Sequence, residues 1–353
     1  MENQAPLVLR PLRLGELLDQ AIRLYRRNFF TFIGIIAVIY IPLMILQTAS
    51  TTLLTSSMGN VASARTPEEI FTNYAYWGGL FSTLIVTFIQ FILVQGIATG
   101  ALTRAVADNY LGKQTSILDA YRGLKDSWIS LLGALLVFIL LVIVLFMWTL
   151  VPCIGWFTGP GMLAFATAAI SPLVAPVVVL EKQGALASIR RAWDLARRRF
   201  WPVLGTIFVL YLFSLLIING PAAIVNAILT GTMASFGDAT TRLIVVAIIQ
   251  ALVSLVFVLL YYPLQMTAFT LIYFDLRVRT EGFDIALLTM NPAESTAAAD
   301  ISQVPVPQSN ERFITGPELG NFAILTLGAL GLYILFFSVI MAVAFFFTSL
   351  FFR

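Results

Sequence analysis

Seven long apolar stretches constrain this chain more than any other feature, because each is long enough to cross a membrane. A spanning helix needs about 20 predominantly apolar residues. The chain is 59% hydrophobic and only 11% charged, and the apolar stretches leave no soluble segment large enough for a catalytic domain. The sequence therefore predicts an all-α, polytopic integral membrane protein. Its predicted spans are residues 29–54, 76–103, 128–151, 155–180, 200–229, 241–274 and 321–352.

The Lys and Arg residues fall almost entirely on one side of these stretches. When the N-terminal segment and the loops are assigned alternately to two sides, 18 of the 21 share the side of the N-terminus, and only Arg65, Arg242 and Arg353 lie opposite. Cytoplasmic loops carry such an excess, and acidic lipid headgroups attract cations. We therefore expect a protein of the cytoplasmic membrane, with its N-terminus in the cytoplasm and its C-terminus outside. The asymmetry indicates contact with lipid rather than with nucleic acid.

The first six stretches contain a threefold repeat. Residues 23–34, 122–133 and 194–205 align without gaps and superimpose the aromatic residues Phe29, Trp128 and Phe200. Before each aromatic residue, apolar and cationic side chains recur at the spacing of an amphipathic helix, which is typical of a helix lying in the headgroup plane. We therefore predict three hairpins, each preceded by a cationic interfacial helix. The alternative is that these segments are cytoplasmic extensions of the spanning helices. The predicted contacts to anionic lipid are Arg23, Arg26, Arg27, Arg122, Lys125, Arg190, Arg191, Arg197, Arg198 and Arg199.

The composition divides the chain into three parts. Residues 1–288 form the predicted six-helix membrane domain. Residues 289–317 have few large apolar side chains and several Pro, Ser and Ala, so they cannot bury enough surface to fold alone and are predicted to be a disordered cytoplasmic linker. Residues 318–353 form an appended seventh helix, rich in Phe, which we expect to face lipid or a partner subunit.

The residues that most often carry chemistry are scarce. The chain has no histidine, which removes the commonest general base and metal ligand. It has no phosphate-binding glycine loop, and its single cysteine, Cys153, cannot form an internal disulfide. No Cys, Asp or Glu cluster has the spacing of metal ligands. We therefore predict a protein that is not an enzyme and that binds no cofactor or metal.

Polar residues inside the apolar stretches leave a transport function open. A helix broken at Asn219, Gly220 and Pro221 could expose backbone carbonyls to a solute, and Gln250 and Gln265 could extend a polar pathway. The alternative is that the amides form hydrogen bonds between helices and that the prolines kink them. We favour the alternative. A GxxxG pattern at Gly96 and Gly100 indicates helix packing inside the chain.

Three segments carry a resemblance to a known family. They are PLRLGELLDQAIRLYRRNFFTFIGI, VVVLEKQGALASIRRAWDLARRRFWPVLG and YFDLRVRTEGFDIALL. Together they resemble the bacterial family described as the glycerophosphoryl diester phosphodiesterase membrane domain, over residues 11–288. That family takes its name from fusion to a soluble phosphodiesterase domain in some members. This chain has neither that domain nor its histidines, so the resemblance implies a six-helix unit without phosphodiesterase activity and without assigned catalytic residues. It also implies that the membrane is the cytoplasmic (inner) membrane of a bacterium.

The sequence thus predicts a non-enzymatic membrane protein that acts as a scaffold or accessory subunit of a membrane assembly. Its expected partners are anionic lipid headgroups and a membrane protein that contacts the C-terminal helix. The alternatives are a transporter or permease for a small or amphiphilic molecule and a lipid-handling membrane protein.

Overall fold

The computed structural model describes residues 10–62, 65–232, 239–289 and 315–351. Within these ranges the chain forms helices and no β-strand. Three π-helical segments, Phe91–Ala98, Ala166–Ile170 and Leu215–Asn219, join α4 to α5, α8 to α9 and α11 to α12. The α-helices are α1 (Leu14–Arg27), α2 (Phe29–Ala62), α3 (Pro67–Phe71), α4 (Tyr74–Gln90), α5 (Thr99–Tyr110), α6 (Ile117–Arg122), α7 (Trp128–Thr149), α8 (Ile154–Phe165), α9 (Ser171–Glu181), α10 (Ala185–Arg198), α11 (Phe200–Ser214), α12 (Gly220–Thr232), α13 (Ala239–Glu281), α14 (Phe283–Thr289) and α15 (Gly316–Phe351).

Six helical runs among the described residues are long and apolar enough to cross a membrane. They confirm the predicted class, an all-α polytopic membrane protein. The seventh predicted stretch forms α15, a helix of 36 residues, and many of its side chains beyond Gly331 lie outside the described residues. The six runs are Phe29–Met58, Tyr74–Tyr110, Trp128–Thr149, Ile154–Glu181, Phe200–Leu229 and Ile244–Glu281.

The first helices of the three hairpins begin at equivalent positions of the repeat. Helices α2, α7 and α11 begin at Phe29, Trp128 and Phe200, the three residues that the alignment superimposes. The helices that precede them differ in length: α1 and α10 have 14 residues each, whereas α6 has six. Helix α6 is followed by a turn that begins at Gly123. Glycine disfavours a helix, and Asp126 and Ser127 further along favour turns, which accounts for the shortened second copy.

Buried residues concentrate at the end of the molecule that carries most of the Lys and Arg. This packed layer consists of α1, α5, α9, α10 and residues 261–281 of α13, whose buried side chains form most of the core. The opposite ends of the spanning helices instead expose large apolar side chains, among them Phe81, Ile224 and Ile248. Such a surface suits contact with lipid, because an aqueous surface rarely carries so extensive an apolar area.

Helix α1 packs on protein through part of its apolar face. It runs antiparallel to the packed-layer part of α13: the Leu12 amide before α1 donates to Asp275, and the Tyr25 hydroxyl near its end donates to the carbonyl oxygen of Leu260. Its Leu17 and Ala21 side chains are buried in the core. Part of the apolar stripe of α1 therefore packs on protein, whereas Leu14 and Ile22 of the same stripe stay exposed. This differs from the predicted orientation, in which the whole apolar face lies on lipid.

The small residues of the second span pack inside the chain, as predicted. A Cβ atom on Gly100 would lie 2.7 Å from Leu131 of α7 and 2.9 Å from Leu124, and one on Gly96 would lie 3.2 Å from Leu135. The absence of a side chain at both glycines therefore lets α7 approach closely.

Helix α15 begins inside the fold of the six-helix unit. Phe322 is fully buried against α8, and the Thr326 hydroxyl accepts a hydrogen bond of 2.8 Å from the backbone amide of Gly161. The first part of α15 therefore contacts the chain itself, which corrects the expectation that the whole helix faces lipid or a partner. Apart from its two ends, the predicted linker at 289–317 lies outside the described residues.

Candidate functional site

The last part of α13 carries two ion pairs on opposite faces. Asp275 pairs with Arg279 at 2.8 Å, and Arg277 pairs with Glu281 at 3.3 Å. Each pair joins residues that are four apart, and an offset of two residues rotates one pair by about 200° from the other. One face can therefore hold the segment before α1, and the other can hold α9 and α10.

The Asp275–Arg279 pair binds the segment that precedes α1. The Asp275 carboxylate accepts a hydrogen bond of 2.8 Å from the Leu12 amide, and Arg279 donates to the Leu12 carbonyl oxygen at 2.5 Å. Both backbone polar groups of Leu12 are thus satisfied by one ion pair. This contact fixes where the segment before α1 meets α13.

The opposite face of α13 forms a buried network with α9 and α10. Arg191 of α10 donates to both carboxylate oxygens of Glu181, at 3.0 and 3.3 Å, and to both oxygens of Glu281. Arg277 lies 3.6 Å from Glu181 and donates to the Tyr273 hydroxyl at 3.2 Å. That hydroxyl donates in turn to Glu181 at 2.9 Å. We call these five residues the buried network.

The charges of the buried network balance within it. Two guanidinium groups face two carboxylates, and none of the four charged side chains is more than 7% exposed. Burial alone would lower the pKa of Arg191, but its hydrogen bonds to Glu281 and Glu181, together with the attraction of these two carboxylates, raise that pKa above its ordinary value. Because each charge is neutralised by a neighbour, the network is suited to joining α9, α10 and α13 rather than to presenting a charged group to a substrate.

A second buried contact joins α10 to α15. Arg197 pairs with Asp194 at 2.8 Å and with Glu318 at 3.4 Å. Beside it, Phe322 enters an aromatic cluster in which ring centroids lie 4.4–6.0 Å apart. Ion pairs of Arg191 therefore join α10 to α9 and α13, and an ion pair of Arg197 joins it to α15. The other members of the cluster are Phe165, Trp193 and Phe200.

Two of the predicted lipid contacts are corrected by this arrangement. Arg191 and Arg197 are buried in ion pairs and do not face lipid headgroups. The physical reason is that α10 is surrounded by α7, α9 and α13, so its cations meet carboxylates of the chain. The other predicted contacts have exposed or half-exposed side chains, whose lipid contacts stay a prediction: Arg23, Arg26, Arg27, Arg122, Lys125, Arg190, Arg198 and Arg199.

The predicted polar pathway does not assemble into one site. Residues 215–219 form a π-helical turn that continues into α12 at Gly220 and Pro221, so the helix is not unwound there. The Asn219 side chain is exposed on the surface of this helix. Gln250 donates to Asn226 of α12 at 2.7 Å, and Gln265 is buried in the packed layer. The amide pair joins two helices, which is the alternative that the sequence favoured.

An open groove of about 400 Å³ borders α1. It is lined by charges of both signs from α1 and the segment before it, and by Tyr110 of α5. Arg10 and Glu16 pair with each other at 3.1 Å on its wall. Among the described residues, no group of three or more Cys, Asp or Glu is arranged to hold a metal ion. The groove could instead accommodate a small polar or zwitterionic group. Its charged residues are Arg10, Glu16, Asp19 and Arg23.

The buried network unites segments that the sequence presents far apart. Glu181 and Arg191 belong to the second of the three segments that carry the family resemblance, and Tyr273, Arg277 and Glu281 belong to the third. The Asp275–Arg279 pair adds Leu12 from the first. Comparisons of the sequence and fold with known proteins found no matching family, curated protein or solved structure. The resemblance therefore remains a prediction that rests on these residues.

Proposed function

We propose that the chain is a non-enzymatic component of a membrane assembly, acting as a scaffold or accessory subunit. The observation that carries this proposal is that the buried charges pair with one another within the chain. The charges of the buried network balance, Arg197 pairs with two carboxylates, and together these contacts join four helices. A packed layer held in this way provides a rigid base, while the spanning helices expose apolar surface that a partner or lipid can cover.

We place the packed layer on the cytoplasmic face of a bacterial inner membrane. The placement is supported by the excess of Lys and Arg on that side of the spanning helices. Exposed cations directly before α2, α7 and α11 would contact anionic headgroups, each contributing about 1 kcal/mol near the surface. Replacing Arg26, Arg27 and Lys125 by Gln should therefore reduce co-purification of anionic lipid and its dependence on salt. Unchanged lipid content would contradict this part of the proposal.

We assign the partner contact to the part of α15 beyond Gly331. The earlier part is occupied by Phe165 and Gly161 of the chain itself, and the later part is apolar and rich in Phe. Truncation after Gly331 keeps the contacts of Phe322 and Thr326, so it separates partner binding from folding of the six-helix unit.

The test is purification of the full chain and of the truncated chain in nanodiscs, with co-purifying proteins and lipids identified by mass spectrometry. We expect a protein partner in stoichiometric amount with the full chain and its loss from the truncated chain. A matched control is the exchange of Leu327 and Leu330, exposed residues of the retained part of α15, for Ala. A lone protein in both preparations would contradict the scaffold or subunit function.

The groove beside α1 supports lipid handling as a second candidate. Its mixed charges suit a zwitterionic headgroup, and one lipid retained at a fixed ratio by the isolated protein would favour this candidate. Arg23→Gln together with Asp19→Asn should then reduce the retained lipid without changing the partner. Transport has less support, because the segment around Asn219 forms a continuous helix.

A further inference from the structure

The third hairpin, formed by α11, α12 and α13, carries two exposed carboxamides. Asn219, the last residue of a π-helical segment, and Asn226 of α12 both have exposed side chains. They are seven residues apart, which is about two helical turns, so they share one face of the helix. Asn226 accepts a hydrogen bond of 2.7 Å from Gln250 of α13. The Asn219 side chain makes no hydrogen bond to any other residue that the structure describes.

Asn219 lies in the middle of an exposed apolar surface. Large exposed apolar side chains lie on both sides of it, from Phe208, which is 60% exposed, to Ile228, which is 57% exposed. These two residues are 20 apart, which is about 30 Å along the helix and equals the thickness of the hydrocarbon core. No charged residue lies between Arg199 and Asp238. A bilayer that covers these apolar side chains therefore places the Asn219 carboxamide near its centre, away from water.

A carboxamide in this position requires a polar partner. Lipid tails offer neither a donor nor an acceptor, and an unpaired polar group is costly in hydrocarbon. The electrostatic complement of a carboxamide is a second carboxamide, because each has an acceptor oxygen and a donor NH₂ group. The chain already contains one such pair, in which Gln250 donates to Asn226. Hydrogen bonds of this kind hold helices together in membranes.

The same face suits close approach by another helix. Gly220 follows Asn219 directly, and a Cβ atom on it would meet nothing within 4 Å, so the described part of the chain does not cover this side. Ala223, one turn further along, is also exposed. Small residues let helix backbones approach each other closely. Two copies inserted with the same orientation are related by a two-fold axis along the membrane normal, which places this face opposite itself and Asn219 opposite the same residue.

We propose that a second copy of the chain covers this face, so that the protein forms a symmetric dimer in which the two Asn219 carboxamides pair inside the bilayer. A second copy supplies the complementary group at the required depth without any other component. The interface lies on α12, whereas the partner contact assigned above lies on α15 beyond Gly331. The dimer therefore does not depend on the proposed scaffold or subunit function.

Cross-linking in isolated membranes tests the interface. Cys153→Ser removes the chain's single cysteine, and Ala223→Cys then places a thiol on the proposed face. The matched control is Ile224→Cys, which lies at nearly the same depth and is also exposed, but is rotated by about 100° around the helix. A disulfide requires two Cα atoms within about 7 Å of each other. On mild oxidation, we expect a covalent dimer from Ala223→Cys and little from Ile224→Cys.

Removal of the carboxamide tests Asn219 itself. Donor and acceptor fluorophores on Cys153 report association by energy transfer in liposomes at several protein-to-lipid ratios. Asn219→Leu should raise the dissociation constant about tenfold, the effect of losing a hydrogen-bonded polar contact between membrane helices. Asn219→Gln keeps a carboxamide and should retain most of the association. The matched control is Thr167→Val, which removes an exposed hydroxyl from a spanning run of the second hairpin.

Three outcomes would overturn the proposal. Equal cross-linking of Ala223→Cys and Ile224→Cys would indicate random collision, and cross-linking of Ala223→Cys to a different protein would give the face to that protein. An unchanged dissociation constant in Asn219→Leu would show that the carboxamide does not hold the copies together. Truncation after Gly331 should leave the dissociation constant unchanged, which separates this interface from the partner contact of α15.

Discussion

Removing one charge from the buried network tests whether it holds α9, α10 and α13 together. In Glu181→Gln, Arg191 and Arg277 would face the single carboxylate of Glu281. Two unit charges 4 Å apart attract by about 4 kcal/mol at an effective dielectric constant of about 20, and loss of one partner from a buried pair costs about 3–5 kcal/mol. We therefore expect Glu181→Gln to lower the free energy of unfolding by about 3–5 kcal/mol, and Arg191→Met to lower it by a similar amount.

The double variant separates charge imbalance from the loss of individual contacts. Glu181→Gln combined with Arg191→Met leaves Arg277 paired with Glu281, so the charges balance again. We expect the double variant to lose less stability than the sum of the two single variants, with a coupling of about 1–3 kcal/mol. Arg198→Met is the matched control, because Arg198 lies on the same helix with its side chain exposed. Its effect should stay within about 0.5 kcal/mol.

The assay is equilibrium unfolding of the purified protein in mixed micelles, followed by tryptophan fluorescence. Trp193, one of the six tryptophans of the chain, is buried in α10 between the two charged contacts, so the fluorescence change reports on unfolding of the chain and includes the exposure of this helix. Size-exclusion profiles and helix content should match those of the unaltered chain before unfolding begins. Two results would refute the reasoning. Single variants within about 1 kcal/mol of the unaltered chain would mean that the charges are not buried together, and strict additivity in the double variant would mean that they are not coupled.

Three further predictions concern other contacts. Gly161→Ala should lower the unfolding temperature, because its Cβ atom would overlap the Phe322 carbonyl oxygen, whereas Gly205→Ala, where a Cβ atom meets nothing within 4 Å, should not; equal effects would contradict the packing of α15 on α8. Burial raises the pKa of Tyr25 from 10.0 to about 12. Because the folded pKa is the higher one, the contribution of Tyr25 should be fully present below pH 10 and lost as the pH rises through about 12. Between pH 10 and about pH 12, the free energy of unfolding should fall less steeply with pH in Tyr25→Phe than in the unaltered chain. Equal slopes in the two proteins would contradict the burial of the Tyr25 hydroxyl. Arg279→Gln should speed amide hydrogen exchange around Leu12 and at the start of α1, while Arg26→Gln, an exposed control, should leave it unchanged.

The repeat register was predictable because it rests on strong local signals. A cation and an aromatic residue precede a long apolar stretch three times, and the helices begin at Phe29, Trp128 and Phe200. Apolar length predicted the six spanning runs for the same reason. The internal packing of Gly96 and Gly100 followed from the need for small residues where helices approach closely. These features depend on neighbours in the sequence or on a single helix.

The burial of Arg191 and Arg197 was not predictable from periodicity. A helix with one apolar and one cationic face has the same pattern whether it lies on lipid or inside protein, and only the position of its partners decides between them. Two of those partners are distant in sequence: Glu281 lies 90 residues from Arg191, and Glu318 lies 121 residues from Arg197. The available signal was that Glu181 directly ends an apolar stretch, where an isolated carboxylate needs a cation nearby. That signal names no partner, because three-dimensional proximity is not encoded in spacing along the chain.

The burial of some cations in ion pairs does not weaken the topology inferred from charge, because the cation excess and the ion pairs act at different times. We expect the excess of cations to act while the chain inserts, before α9, α10 and α13 have packed. Arg191, Arg197 and Arg277 would then contribute to the proposed orientation even though they are neutralised in the folded chain. After folding, surface attraction depends only on the cations that stay exposed, such as Arg26, Arg27 and Lys125. The same sequence excess therefore has two separable consequences. Neutralising the buried arginines should affect insertion and stability, whereas neutralising the exposed ones should affect lipid binding and leave the packed layer intact.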